Sequence, residues 1–137
     1  MLNTDFIEIQ AILNTFLSGK KYFFGSLTPS LLEDKLPVVY AIFDKETGET
    51  LYVGRTKNLR QRLYTNHLMG PKTNARLKKY LVDDPLQTSI CSMDDAKNFL
   101  KERCYFQYVA ERDNQKRGQL EGLLSYLLNV RYIHEEH

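Results

Sequence analysis

The stretch Leu51-Tyr-Val-Gly-Arg-Thr-Lys-Asn-Leu-Arg-Gln-Arg-Leu63 decides how this chain folds. A short apolar run ends in a glycine, and cations then follow at 55, 57, 60 and 62. Just upstream, Pro37-Val-Val-Tyr-Ala-Ile-Phe43 is apolar on both faces and rich in β-branched and aromatic side chains, which predicts a central strand. Residues 44 to 50 are turn formers, so Leu51-Tyr-Val53 is the returning strand of a β-hairpin. Thr56 or Asn58 then caps a helix running to about His67, with Leu59 and Leu63 turned inward.

Working outward, residues 76 to 83 form a helix anchored by Leu77 and Leu81, and Asp94 caps another that buries Ala96, Phe99 and Leu100. Residues 105 to 110 read as a third strand. Residues 114 to about 128 carry the clearest apolar stripe, Leu120, Leu123, Leu124, Leu127 and Leu128. At the other end, Phe6, Ile9, Leu13, Phe16 and Leu17 recur at helical spacing, and Thr28-Pro29 opens a short helix that stops near Leu36-Pro37. The expected architecture is α+β: a small, mainly antiparallel three-stranded sheet flanked by helices. Residues 1–36 are a helical extension packed on residues 37–137 or placed at a dimer interface.

At 137 residues the chain is long enough to bury a core without disulfides or a structural metal. Its two cysteines, Cys91 and Cys104, lack the partners of a zinc site or a disulfide framework. No apolar run is long enough to span a bilayer, and the first residues lack the basic start of a signal peptide, so a cytoplasmic protein is expected. The net charge is only +2, but it is unevenly spread. Eight of the nineteen Lys/Arg fall between Gly54 and Val82 with no acid among them, which leaves eleven cations against all seventeen acids elsewhere. Such a block either forms a solvated helix face or draws a polyanion such as nucleic acid. Candidate contacts are Gly54, Arg55, Lys57, Arg60, Lys72, Arg76, Lys78 and Lys79.

Three residues stand out chemically. Gly54, at a strand end, leaves the backbone open to a phosphate. Arg62, rooted beside Leu59 and Leu63, must line the seam between helix and hairpin, as a phosphate clamp or in an ion pair. Glu121 lies about 20° from the edge of the apolar stripe of the last helix at 100° per residue. Its carboxylate is therefore partly buried and needs a partner. Arg117 at i−4 is one option; a Mg²⁺ ion that keeps its waters and borrows a substrate phosphate oxygen is the other.

Val38-Val-Tyr40, the hairpin, Tyr52-Val-Gly54, Arg55, Arg62 and Glu121 together resemble the GIY-YIG nuclease domain, the fold of phage homing endonucleases and of the incision subunit of bacterial excision repair. The resemblance runs from Pro37 to the C-terminus and is densest across Tyr52–Arg62. It implies a metal-dependent endonuclease that hydrolyses DNA phosphodiesters to 3′-hydroxyl and 5′-phosphate ends, in repair or in a mobile element. By the same resemblance Tyr40 is the general base or orienter of the attacking water, and Tyr52 supports it by hydrogen bonding. Arg55 and Arg62 hold phosphate, Glu121 is the ligand of a single Mg²⁺ or Mn²⁺ site, and His67 falls near a histidine carried by several branches. Two departures are visible: Val38-Val39 replaces the usual Gly-Ile, and Ile133 stands where members carry an asparagine that ties the tail to the site, with Asn129 the nearest substitute. The alternatives are a catalytically weak or inactive nucleic-acid-binding module of the same fold, and an interaction domain for an acidic protein. The expected partners are DNA and either a second copy of the chain or a partner protein that supplies target selection.

Overall fold

The structure, a computed structural model, describes residues 5–133. Its centre is a four-stranded, wholly antiparallel sheet: β1 (Tyr22–Phe23), β2 (Val38–Asp44), β3 (Thr50–Thr56) and β4 (Cys104–Ala110), in the order β1-β4-β2-β3. The sheet therefore has one strand more than expected. The extra strand, β1, is two residues long, too short to show any alternation. It is held by ring contacts across its pairing with β4, Tyr22 stacking on Phe106 and Phe23 packing on Tyr105, both at 5.3 Å.

Every residue of β2 is buried, as its unbroken apolar sequence requires, because helices cover both faces of the sheet. On one face Val38, Tyr40, Ile42, Tyr52 and Phe106 meet Leu63 and Leu68, then Leu77 and Leu81 of α2 (Arg76–Asp83) and Ala96 and Leu100 of α3 (Met93–Arg103). On the other, Val39, Ala41 and Phe43 meet Phe16 of α1 (Phe6–Leu17) and Leu124 of α4 (Asn114–Leu127). Among the described residues no helix is long and apolar enough to cross a membrane.

The segment before Pro37 contributes Phe24, Leu27, Leu32 and Leu36 to the larger core. Thr28-Pro29 opens only a 3₁₀ turn, Pro29–Leu31, and α1 is anchored by Phe16 while Phe6 and Ile7 stay exposed. α3 is capped by Ser92, whose hydroxyl accepts from the Asp95 amide, rather than by Asp94, which sits in the first turn where an acid favours the helix dipole. The element after β3 also differs from expectation: Gln61–Leu68 winds as a π-helix.

Candidate active site at the β3 edge

The antiparallel register sets Tyr40 directly opposite Gly54, with Tyr52 two residues along on the same face. A Cβ on residue 54 would lie 2.5 Å from the Tyr40 hydroxyl oxygen and 3.0 Å from the Tyr52 ring. The open side of this glycine is thus filled by Tyr40 rather than left for a phosphate. Glycine is needed because the Tyr40 ring crosses the neighbouring strand. The two tyrosine rings stack at 6.2 Å, and His67 packs edge-on to both.

His67 reaches this position through the π-helix. Arg62 and His67 are five residues apart, which in an α-helix would set them about 140° apart around the axis; a winding with i→i+5 bonds brings such residues nearly into line. The Met69 amide donates to the Tyr64 carbonyl at 3.0 Å in this pattern. The end of the π-helix is held by Lys78, which is buried and donates to the carbonyls of Leu68 at 2.7 Å and Gly70 at 2.9 Å. Lys78 is therefore a structural cation, withdrawn from the basic surface where its charge alone had placed it.

The Tyr40 hydroxyl and His67 Nε2 are 2.7 Å apart and fully buried. Burial raises the Tyr40 pKa well above the ordinary phenol value, and the nearby Arg62 and Arg76 do not offset it. Burial, reinforced by Arg62, Arg76 and Lys78, lowers the His67 pKa to about 3. At neutral pH the pair is uncharged. His67 Nδ1 has no partner among the described residues, so the bond to Tyr40 is the one hydrogen bond that selects which nitrogen of the neutral ring carries the proton. Tyr52 is also raised by burial, against the pull of the Arg76 guanidinium beside it.

Glu121 approaches from α4 across the outer edge of β3. Its ionic partner among the described residues is Arg55, at a loose 4.0 Å, and not Arg117. Arg117 is buried, donating to the carbonyls of Glu111 and Arg112 and to the Asn114 side chain, and so fastens the turn between β4 and α4. The Arg55 guanidinium lies where a Cβ on residue 118 would stand, so Gly118 is what lets it cross α4. Tyr52, Val53, Arg76, Glu121 and Ser125, with Val130, Tyr132 and Ile133, line a cavity of about 220 Å³. Tyr40 and His67 lie behind Tyr52, outside its walls. Arg76, which charge counting had placed only on a general basic surface, is a wall of this cavity. The signal for it is its place as the first residue of α2, after the Asn74-Ala75 turn.

The remaining expected contacts spread away from the cavity. Lys57 and Lys79 are exposed, Lys72 pairs with Asp83 at 3.6 Å, and Arg60 donates to the Leu32 carbonyl at 3.0 Å. Asn129 does not tie the tail to the site: its φ of 51° makes it the left-handed residue that ends α4. Among the described residues no group of three or more acids, histidines or cysteines gathers as a metal cluster, and Glu121 is the one carboxylate in the lining of the cavity. That set suits Mg²⁺, a hard ion that keeps several waters and takes oxygens from a phosphate.

A family model described as the GIY-YIG catalytic domain matches residues 36–116. No curated protein and no solved structure matches the chain.

Proposed function

The chain belongs to the GIY-YIG catalytic-domain family, a nuclease family, and from that premise we propose that it is a metal-dependent endonuclease cleaving DNA phosphodiesters to 3′-hydroxyl and 5′-phosphate ends. The observation that carries this reading is that Tyr52, Arg76 and the lone carboxylate Glu121 line one cavity beside β3, while the buried Tyr40–His67 pair packs behind Tyr52 with Arg62 near enough to act on both groups. Arg62 and Arg76 are permanently charged forks suited to a phosphate and to the charge that grows on it during displacement. Glu121 holds Mg²⁺ or Mn²⁺, which when bound supplies Lewis-acid polarisation of the phosphate.

Tyr40 stays protonated at neutral pH; as donor to His67 Nε2 it would keep phenolic lone pairs able to accept from a water, once substrate binding lets that water past the Tyr52 ring. A proton taken from that water onto the Tyr40 oxygen is matched by transfer of the Tyr40 proton to His67. The cost of charging His67 falls when substrate arrives, because a bound phosphate cancels the field of Arg62 and Arg76, two of the three cations that hold its pKa down. Tyr52 lines the cavity and orients the incoming groups by hydrogen bonding.

The test uses purified full-length protein with supercoiled, branched and flapped DNA, with and without Mg²⁺ or Mn²⁺. Cleavage is expected only with the metal, and Tyr40→Phe is expected to bind DNA as before while cutting ~10²–10⁴ times more slowly. Absence of cutting with every divalent cation would instead support a second reading, a weak or inactive nucleic-acid-binding module. The deep burial of Tyr40, 1% exposed, and Ile133 in place of the usual asparagine favour that reading.

A further inference from the structure

After α4 the chain turns back to the cavity. Asn129, left-handed, lets its own amide donate to the Tyr126 carbonyl and the Val130 amide to the Ser125 carbonyl, both at 3.2 Å, a closed helix end that reverses direction. The next two amides, of Arg131 and Tyr132, donate to the carbonyls of Thr50 and Leu51 at 2.9 and 3.1 Å, covering the start of the free edge of β3. The side chains then converge on one atom. Arg131 Nη2 and the Tyr132 hydroxyl each donate to Asp84 Oδ2 at 2.6 Å. Arg131 Nη1 also donates to Glu49 at 3.2 Å, and the Tyr132 ring stacks on Tyr80 at 5.7 Å.

Asp84 is the C-cap residue of α2, the helix whose first residue is Arg76. The tail therefore fastens three elements that each carry one wall of the cavity: β3 with Tyr52, α2 with Arg76, and α4, its own continuation, with Glu121. Bonds from a guanidinium and a phenol to the same carboxylate are charge-assisted and short, and the stacked rings fix their direction.

We propose that Arg131, Tyr132 and Asp84 form a latch that positions Glu121 and Arg76 around the cavity that Tyr52 also lines. The proposal rests on the nuclease reading given above, and the residues are positioning residues: they act through the groups they hold.

The experiment compares wild type with Tyr132→Phe, Arg131→Lys and the double variant of the full-length chain. It measures single-turnover cleavage, DNA affinity, the Mg²⁺ concentration for half-maximal rate, and amide hydrogen exchange at residues 131 and 132. Tyr132→Phe keeps the ring stack and removes the hydroxyl that holds Asp84. It is expected to leave DNA affinity within about twofold, to lower the rate about tenfold and to raise the Mg²⁺ requirement, with lost amide protection at both positions. The double variant is expected to be little worse than the worse single, since both bonds end on one carboxylate. Unchanged exchange protection, or lost protection with a wild-type rate and Mg²⁺ requirement, overturns the latch alone. A wild-type chain that cuts no DNA overturns the nuclease reading, and with it the positioning role.

Discussion

At the scale of single residues the site depends on side chains whose usual roles are exchanged. Glycine at 54 makes room for a tyrosine, Lys78 is a buried fastening, and Glu121 is held only loosely. The last point gives a sharp expectation. The Arg55–Glu121 contact is 4.0 Å long and half exposed, so it contributes little to stability. Glu121→Gln is therefore expected to abolish metal-dependent cleavage while shifting the urea midpoint hardly at all. A loss of several kcal/mol would show a buried ion pair instead. Gly54→Ala is expected to cost about 1–3 kcal/mol, because the new methyl group meets the Tyr40 hydroxyl and the ring must move. If its thermal melt matches that of wild type, Tyr40 does not cross this position.

At the scale of elements, the π-helix determines the chemistry of the buried pair. Winding Gln61–Leu68 with i→i+5 bonds carries His67 under the hairpin, where burial holds its pKa near 3. In the unfolded chain the same imidazole titrates near 6.5. Between these values the unfolded state binds the extra proton, so stability falls as pH drops from about 6.5 toward 3, by up to about 1.4 kcal/mol per pH unit from this group. Above about 6.5 its contribution is fully present. Urea midpoints taken at pH 7 and pH 5 for wild type and His67→Gln are expected to show a steeper acid loss in wild type. Equal slopes would place His67 in contact with water. The sequence marked this element as helical through Leu59 and Leu63 but gave no sign of π winding, because both windings bury those leucines.

At the scale of the whole molecule, the basic block becomes a surface of seven cations rather than eight, with Lys78 inside. DNA affinity is expected to fall with salt at ~0.9 log units per log salt for each duplex phosphate contacted, with three or more contacts. Lys79→Ala is expected to lower that slope by about one. A slope near zero would remove nucleic acid as the partner. The segment before Pro37 supplies Phe24, Leu27 and Leu32 to the main core, so a chain beginning at Lys35 is expected to melt well below the full one. Equal melting temperatures would show that the extension stands apart from the core.

Much of this was legible in one dimension. Strand β2 announces itself because a strand covered on both faces can be apolar throughout, and α4 and the hairpin follow from periodicity and turn chemistry. The run from Tyr52 to Arg62 carries enough of the site to indicate its family, since those residues are close in sequence as well as in space. Tertiary structure alone decided which groups meet. A two-residue strand has no periodicity, so β1 exists only through its pairing with β4. Asp84 binds Tyr132 across forty-eight positions of sequence, and no local propensity reports such a contact. Whether Tyr40 and His67 carry charge is likewise a property of the fold, because burial, which neither residue encodes, sets the cost of ionising them.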